Sequence, residues 1–298
     1  MFHKTKNIIL LLCIVLLFAC VSKNVPHELT LEESEEVPPG TMKIAKNFYF
    51  DESEIRNLDY LEYLTWTERA IGHYSEEYKN ALPDTNVWNK FGNEPYIKYY
   101  LRHPAYRDYP VVSISLRQAN DYCKWRSDRA FEYILIREGI TTWHFNSPKD
   151  SLFTIEKYFK GEWYTKPNPY LKYYPVYSLP DSSTYFFAST LADSLNKKNK
   201  KYIRKKYCSA DISKCWCLET FNKSFEADIV KPVYCRTKKP LIWHLHDNVS
   251  EMTNIEGTLF GGSYKDSCKI AEKKKCFKAD STDILIGFRC ICKWKKWK

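Results

Sequence analysis

Between Trp243 and Tyr264 the stretch WHLHDNVSEMTNIEGTLFGGSY gathers two histidines, an aspartate, two glutamates and a double glycine within 22 residues. On an extended chain His244 and His246 project to one face, the placement a two-imidazole metal site needs, with Glu251 as the candidate third ligand. Sulfur offers a second chemistry. The C-x-C pairs at Cys215 and Cys217 and at Cys290 and Cys292 could bring four thiolates to one zinc ion. Zinc motifs use C-x2-C or wider spacing, however, and alternate positions on extended chain account for both pairs equally well. His73, His103 and His144 stand alone and read as surface or hydrogen-bonded side chains.

The compartment decides which thiol chemistry is open. The start, MFHKTKNIILLLCIVLLFAC, has two lysines and then an apolar run from Ile8 to Ala19, 12 residues long. That is too short to cross about 30 Å of hydrocarbon as a helix, but it suits the core of a cleaved signal peptide over residues 1–19. The LFAC end has the form of a bacterial lipobox, which makes Cys20 the lipidated first residue of the mature chain. Residues 20–39 are polar, acidic and proline-containing and read as a flexible tether, leaving a folded domain over 40–298. Of the 11 cysteines, nine remain after Cys13 and Cys20 are set aside. In an exported protein these are disulfide candidates, with an odd one left over.

The formal charge of +10 is unevenly placed, with basic runs at 196–206, at EKKKC and at the terminal KWKKWK. An exported protein rarely meets nucleic acid, so the expected partners are a membrane, reached through the lipid anchor, and acidic envelope proteins or glycans.

The elements that must position these groups are few. MKIAKNFYFDESEIRNLDYLEYLTWTERAIG starts with strand-like alternation and becomes helical, with Ile55, Leu58, Leu61 and Trp66 on one side of the wheel. Residues 80–110 hold four prolines and many aromatic rings without a sustained period, and read as ordered loop. Ser115 is the expected N-cap of a helix on which Ala119, Tyr122, Cys123 and Arg126 recur, stopping at Gly139. SLPDSSTYFFASTLADSLNKK reads as a helix with Pro180 near its first turn, and DILIGFRCICKW as a closing strand. With 16% aromatic residues and little regular structure, the fold class is α+β, an irregular domain held by aromatic packing.

Several of these stretches, in order, resemble the formylglycine-generating enzyme (sulfatase-modifying factor) family. FYFDESEIRNLDYLEYL is similar to the family's FyidkyEVTNxxYxxFl through Phe48, Tyr49, Glu54, Asn57, Tyr60 and Leu64. YPVVSISLRQANDYCKW is similar to hPVvxVSwxxAxaYCxW through Pro110, Val111, Val112, Ser115, Ala119, Tyr122, Cys123 and Trp125. HLHDNVSEM resembles yDmxGNVwEW, FGGSY with GFRC resembles RGGSw and GFRc, and a fainter likeness runs through Leu179, Pro180 and Ala188. CKWRSDR and NVSEM resemble Bacteroidetes lipoproteins related to gliding-motility and type IX secretion components.

The resemblance implies a C-type-lectin-like α+β fold. It also implies copper(I) held by a C-x4-C thiol pair placed just after the GGS turn, for oxidation of a sulfatase cysteine, since thiolates suit a soft cuprous ion. Here Cys268 and Cys276 are spaced C-x7-C and the first is displaced, so they are weak catalytic candidates, with disulfide or packing roles as the alternative. His244 and His246 stand where the family has tyrosine, and could equally fill that ring space. Asn248 and Glu251 match the family asparagine and glutamate at a structural calcium site, whose hard ion takes oxygen ligands. The family glycine is Asp247 here.

Two functions are therefore expected from different classes. The first is an outer-membrane lipoprotein, periplasm-facing or at the cell surface, whose degenerate domain serves as a binding or assembly scaffold. Its contact surface would be the loops at 80–110 and 141–210. The second is a divergent metal- or thiol-dependent oxidase.

Overall fold

The structure, a computed structural model, describes residues 36–91, 94–143, 152–191, 194, 242–245, 248–264 and 282–298. Strands β1 (Thr41–Ala45) and β2 (Phe48–Asp51) form a hairpin around Asn47, which takes the left-handed conformation (φ +50°). Asparagine tolerates that region, and its side-chain amide bonds the backbone of Trp294 in both directions. The closing strand β7 (Ile291–Lys296) runs antiparallel to β2 on one side and to β3 (Tyr173–Ser178) on the other, giving the order β1-β2-β7-β3. A second, smaller sheet has β4 (Ser250–Met252) between antiparallel β5 (Leu259–Phe260) and parallel β6 (Ile286–Gly287). The α+β class expected from the sequence is the one found, while the stretch read as one closing strand, 283–294, is split into β6 in the smaller sheet and β7, running on to Lys296, in the larger.

Helices accompany the sheets, the longest of them packed against the larger one. They are α1 (Asn57–Ala70), α2 (Glu76–Ala81), α3 (Glu94–Tyr99), α4 (Leu116–Arg137) and α5 (Ile155–Lys160). The helix α4 starts as expected, with Ser115 Oγ accepting from Gln118 N and the Gln118 side chain accepting from Ser115 N. It ends before Gly139, whose φ of +68° is a left-handed stop. Its buried face, Ala119, Tyr122, Cys123, Phe131 and Leu135, packs over β3 and meets the strands from below. Each fully buried large side chain there contributes about 1.5–3 kcal/mol. Residues 182–191 are helical as expected, opened by Asp181, whose Oδ1 accepts from Thr184 N.

Two expectations are corrected. The buried face of α1 is Asn57, Tyr60, Tyr63, Leu64 and Thr67, while Leu58, Leu61 and Trp66 lie at its half-buried margins. Hydropathy ranks tyrosine low, but Tyr60, Tyr63 and Tyr122 pack ring on ring, and the Tyr60 hydroxyl donates to Ala81 O at 2.8 Å. The 80–110 segment contains α3 and helical turns at Thr85–Phe91 and Pro104–Tyr106. Its rings cluster inward, with Trp88, Tyr96, Tyr100, Tyr106 and Tyr109 in mutual contact.

Candidate functional site

The motif segments converge on Arg289. Its neighbours tie it in: Ile55 N donates to Phe288 O at 2.9 Å, Asp51 N to Cys290 O at 3.0 Å, and Ser250 N to Leu285 O at 2.8 Å. The side chain has no solvent exposure and lies across the join between the two sheets. Its Nε donates to Glu251 Oε2 at 2.6 Å, and Nη2 donates to Glu251 Oε1, to Trp243 O at 2.8 Å and to His244 O at 3.3 Å. Nη1 reaches Asp51 O at 3.4 Å, and the guanidinium lies 5.5 Å from the Phe50 ring centre. One carboxylate and three backbone carbonyls are thus met by one residue, a fork that matches the carboxylate on one side and the carbonyls on the other.

Glu54 and Asn248 complete the cluster. Asn248 Nδ2 donates to Glu54 Oε1 at 2.8 Å, and Glu54 Oε2 stands 4.0 Å from Arg289 Nη2. Glu54 Oε2 and Asn248 Oδ1 are buried and have no hydrogen-bond partner among the described residues. Asn248 and His244 both adopt positive φ, +67° and +56°. Asn248 can do so cheaply, since asparagine tolerates the left-handed region. Burial raises the carboxyls of both Glu54 and Glu251, the latter to about 7, against the lowering by His244 and Arg289 for the first and by Arg289 for the second. Arg289 itself is held in its charged form by Glu251 despite burial. The two carboxyls are therefore coupled to one another, with Arg289 as the fixed positive charge beside them.

Glycines let the loops close over this cluster. A Cβ on Gly261 (φ +72°) would lie 2.9 Å from Leu245 O and 3.1 Å from the Tyr185 hydroxyl, which donates to that same carbonyl. A Cβ on Gly287 would sit 2.8 Å from Val249 Cγ2 and 3.1 Å from Val111 O. A second buried ion pair lies alongside. Arg126 on α4 grips Asp51 at 2.8 and 2.9 Å, and Asp51 Oδ2 accepts from Cys290 N at 2.8 Å.

Several expected site residues fall outside the described residues: Cys20, His246, Cys215, Cys217, Cys268 and Cys276. Of the histidine pair, only His244 can be placed, half-buried and beside Glu54. The calcium reading does not fit Asn248 and Glu251 as they stand. Both Glu251 oxygens accept from Arg289, and a divalent ion at Glu54 Oε2 would face a guanidinium 4.0 Å away in a dry interior. Among the described residues no group of three or more histidine, cysteine, aspartate or glutamate side chains is arranged to hold a metal ion. The motifs contain Glu54 and Arg289 but their spacing assigns neither a role. The available signal was a charge set in an apolar run, as Arg289 is in ILIGFRCIC.

The remaining thiols are interior. Cys123, Cys290 and Cys292 are buried, and burial pushes the last two thiols well up, so they are protonated and poor nucleophiles. Among the described residues no helix is long and apolar enough to cross a membrane.

Among solved structures the chain is similar to that of CarF at 14% identity, covering 83% of this chain and 86% of CarF with a TM-score of 0.43. It is also similar to Treponema denticola variable protein 1 at 13% identity, covering 83% and 84% of the two chains with a TM-score of 0.34. No curated protein matches it. The sulfatase-modifying factor enzyme 1-like domain family matches residues 23–294, so nearly the whole chain, Arg289 cluster included, belongs to that family.

Proposed function

We propose that the chain is an envelope lipoprotein anchored through Cys20 that uses a degenerate sulfatase-modifying-factor-like domain as a binding scaffold. Its setting is the gliding or type IX secretion machinery of a Bacteroidetes-type outer membrane. The observation that carries this reading is that the polar residues of the family motifs are spent on one another inside the domain. Glu251 is closed by Arg289, Glu54 by Asn248, and Asp51 by Arg126, which is an arrangement for holding two sheets together rather than for meeting substrate. The C-x7-C spacing of Cys268 and Cys276 adds to it, since a two-thiolate copper site depends on a fixed approach of both sulfurs.

The contact surface is shifted by the inward packing of residues 80–110. Large rings are offered to solvent instead by the segments around α5, where Trp143, Tyr164 and Tyr170 are exposed. Rigid rings of this kind bury area at little entropic cost and suit a protein or glycan partner.

The test is copper(I) titration of anaerobically purified protein, with thiols counted in the same sample and a cysteine-containing peptide assayed for conversion to formylglycine. The expected result is no tight copper and no conversion. Stoichiometric copper lost in Cys268→Ser or Cys276→Ser, together with aldehyde formation, overturns the scaffold reading in favour of an oxidase.

A further inference from the structure

In an antiparallel sheet, residues directly opposite one another share a face, and every second residue of a strand returns to it. Opposite the side on which Cys292 and Trp294 are buried, the larger sheet therefore carries Phe50 and Ile291 at one end and Phe48, Tyr174, Val176, Lys293 and Lys295 at the other. The first end is closed by Tyr185, Ile242 and Leu245. At the second end both lysines are exposed, and Phe48, Tyr174 and Val176 are only half-buried among them. Lys293 Nζ stands 4.8 Å from the Phe48 ring centre. The rim is held in place as well. Trp297 lies flat on Phe159 of α5, with 4.8 Å between ring centres and 8° between planes, and its backbone N–H donates to Lys172 O at 2.8 Å. That contact fixes the KWKKWK run, with Lys298 exposed beyond it. The strands β1, β2, β3 and β7 contain no arginine, and their one acidic residue, Asp51, is turned inward onto Arg126. Of the neighbouring carboxylates, Asp181 feels the charge of Lys293 but is taken up by Ser183 and Thr184, and Glu156 pairs with Lys160.

We propose that this end of the sheet is a membrane-resting face, with Lys293, Lys295 and Lys298 against the phosphates of an anionic lipid surface and the rings of Phe48, Tyr174 and Trp297 at headgroup depth. The choice of partner follows from the side chains. An ammonium group is a compact, hydrated point charge that attracts phosphates from any direction, whereas recognition of one carboxylate or phosphate in a set geometry calls for the planar fork of arginine, which these strands lack. Rings with one apolar and one polar side, set among lysines, suit the boundary between headgroups and acyl chains. The inference deepens the envelope reading by naming the side of the domain that is turned to the membrane. Its test uses protein without a lipid anchor, so the anchor and the scaffold role stand or fall separately. Each lysine beside an anionic surface is worth about a five-fold factor in binding, and three together on the order of 100-fold.

The experiment is co-sedimentation of the chain from residue 20 onward, carrying Cys20→Ser so that no acyl chain contributes, with two kinds of vesicle. One is equal parts phosphatidylglycerol and phosphatidylethanolamine, the other phosphatidylcholine alone. The expected result is binding to the first and not the second, weakened at least about ten-fold between about 50 and about 300 mM sodium chloride. The triple variant Lys293→Gln, Lys295→Gln, Lys298→Gln should bind on the order of 100-fold more weakly. A control of equal net charge, Lys79→Gln, Lys98→Gln, Lys124→Gln, changes exposed lysines on α2, α3 and α4 and should bind as the parent does. Absence of binding to the anionic vesicles, equal binding to both kinds, or equal losses in the two triple variants overturns the proposal. So does retention on heparin, a soluble acidic glycan, without binding to the vesicles. Lipid and salt dependence are measured on the parent sequence, so they decide the matter even where a variant folds poorly.

Discussion

Replacing Arg289 with methionine leaves Glu251 buried without its guanidinium and removes donors from Trp243 O, His244 O and Asp51 O. An orphaned buried charge is worth roughly 3–5 kcal/mol. The carboxyl escapes that cost by taking up a proton, and because it already sits at about 7 in the parent, losing the guanidinium adds under about 1 kcal/mol through the charge at pH 7 and less at pH 5. The unpaired carbonyls add roughly 1–3 kcal/mol at either pH. Arg289→Met is thus expected to lose about 2–4 kcal/mol at pH 7 and nearly as much at pH 5. Glu251→Leu, which strands the guanidinium, cannot be relieved by titration and should lose about 3–5 kcal/mol at both pH values. In the double variant the charges are gone and only the carbonyls remain unsatisfied, so its loss should be about 1–3 kcal/mol, well below the sum of the single losses. The assay is urea unfolding followed by circular dichroism for the four proteins at the two pH values. Single losses below about 1 kcal/mol, an additive cycle, or a Glu251→Leu loss smaller than that of Arg289→Met would refute the keystone role.

The remaining predictions test neighbouring parts of the same argument. Because burial holds Glu251 at about 7 against an ordinary 4.5, the folded state binds more protons than the unfolded one between those values, and stability should fall as pH rises through that window and level off above it. Melting temperatures from pH 4.5 to 8 check this, and a rise across the window would contradict it. Gly261→Ala should cost about 2 kcal/mol or more, from a positive φ and a Cβ contact of 2.9 Å with Leu245 O, whereas Gly139→Ala, with the same hand of φ and open space around it, should cost about 1 kcal/mol. Equal losses would show that the close approach is not felt. Ser115→Ala should lose about 1 kcal/mol through the two bonds of its capping box, measured in the same unfolding assay. Calcium at millimolar concentration should leave the melting temperature unchanged, and a rise of several degrees would return Asn248 and Glu251 to the list of ion ligands.

Local rules made much of the scaffold legible. Ser115 and Gly139 bound α4 because capping and a left-handed stop are decided within a few residues, and the alternation around Ile291 marks a strand because its period is local too. The α1 face escapes those rules for a related reason. Its burial is set by Tyr122 and Ala81, which lie elsewhere in the chain and turn Tyr60 inward by ring packing and a hydroxyl bond that hydropathy does not weigh.

The site was legible as a set of motifs but not as a network. Asn248 and Glu251 sit three residues apart and invite a shared ion, yet their partners are Glu54, 194 positions away, and Arg289, 38 positions away. Nothing in the spacing of one segment announces a partner on another. What the sequence does carry is the conflict itself: a charged residue inside ILIGFRCIC must be neutralised somewhere, because an unpaired guanidinium in a dry core takes a large share of the domain's margin of stability. Two carboxylates from motif segments, Glu54 and Glu251, are the complement that demand calls for. A charge embedded in an apolar run is therefore a request for a distant opposite charge. In this domain the request is answered by the same acidic residues that, read alone, look like ligands for a metal.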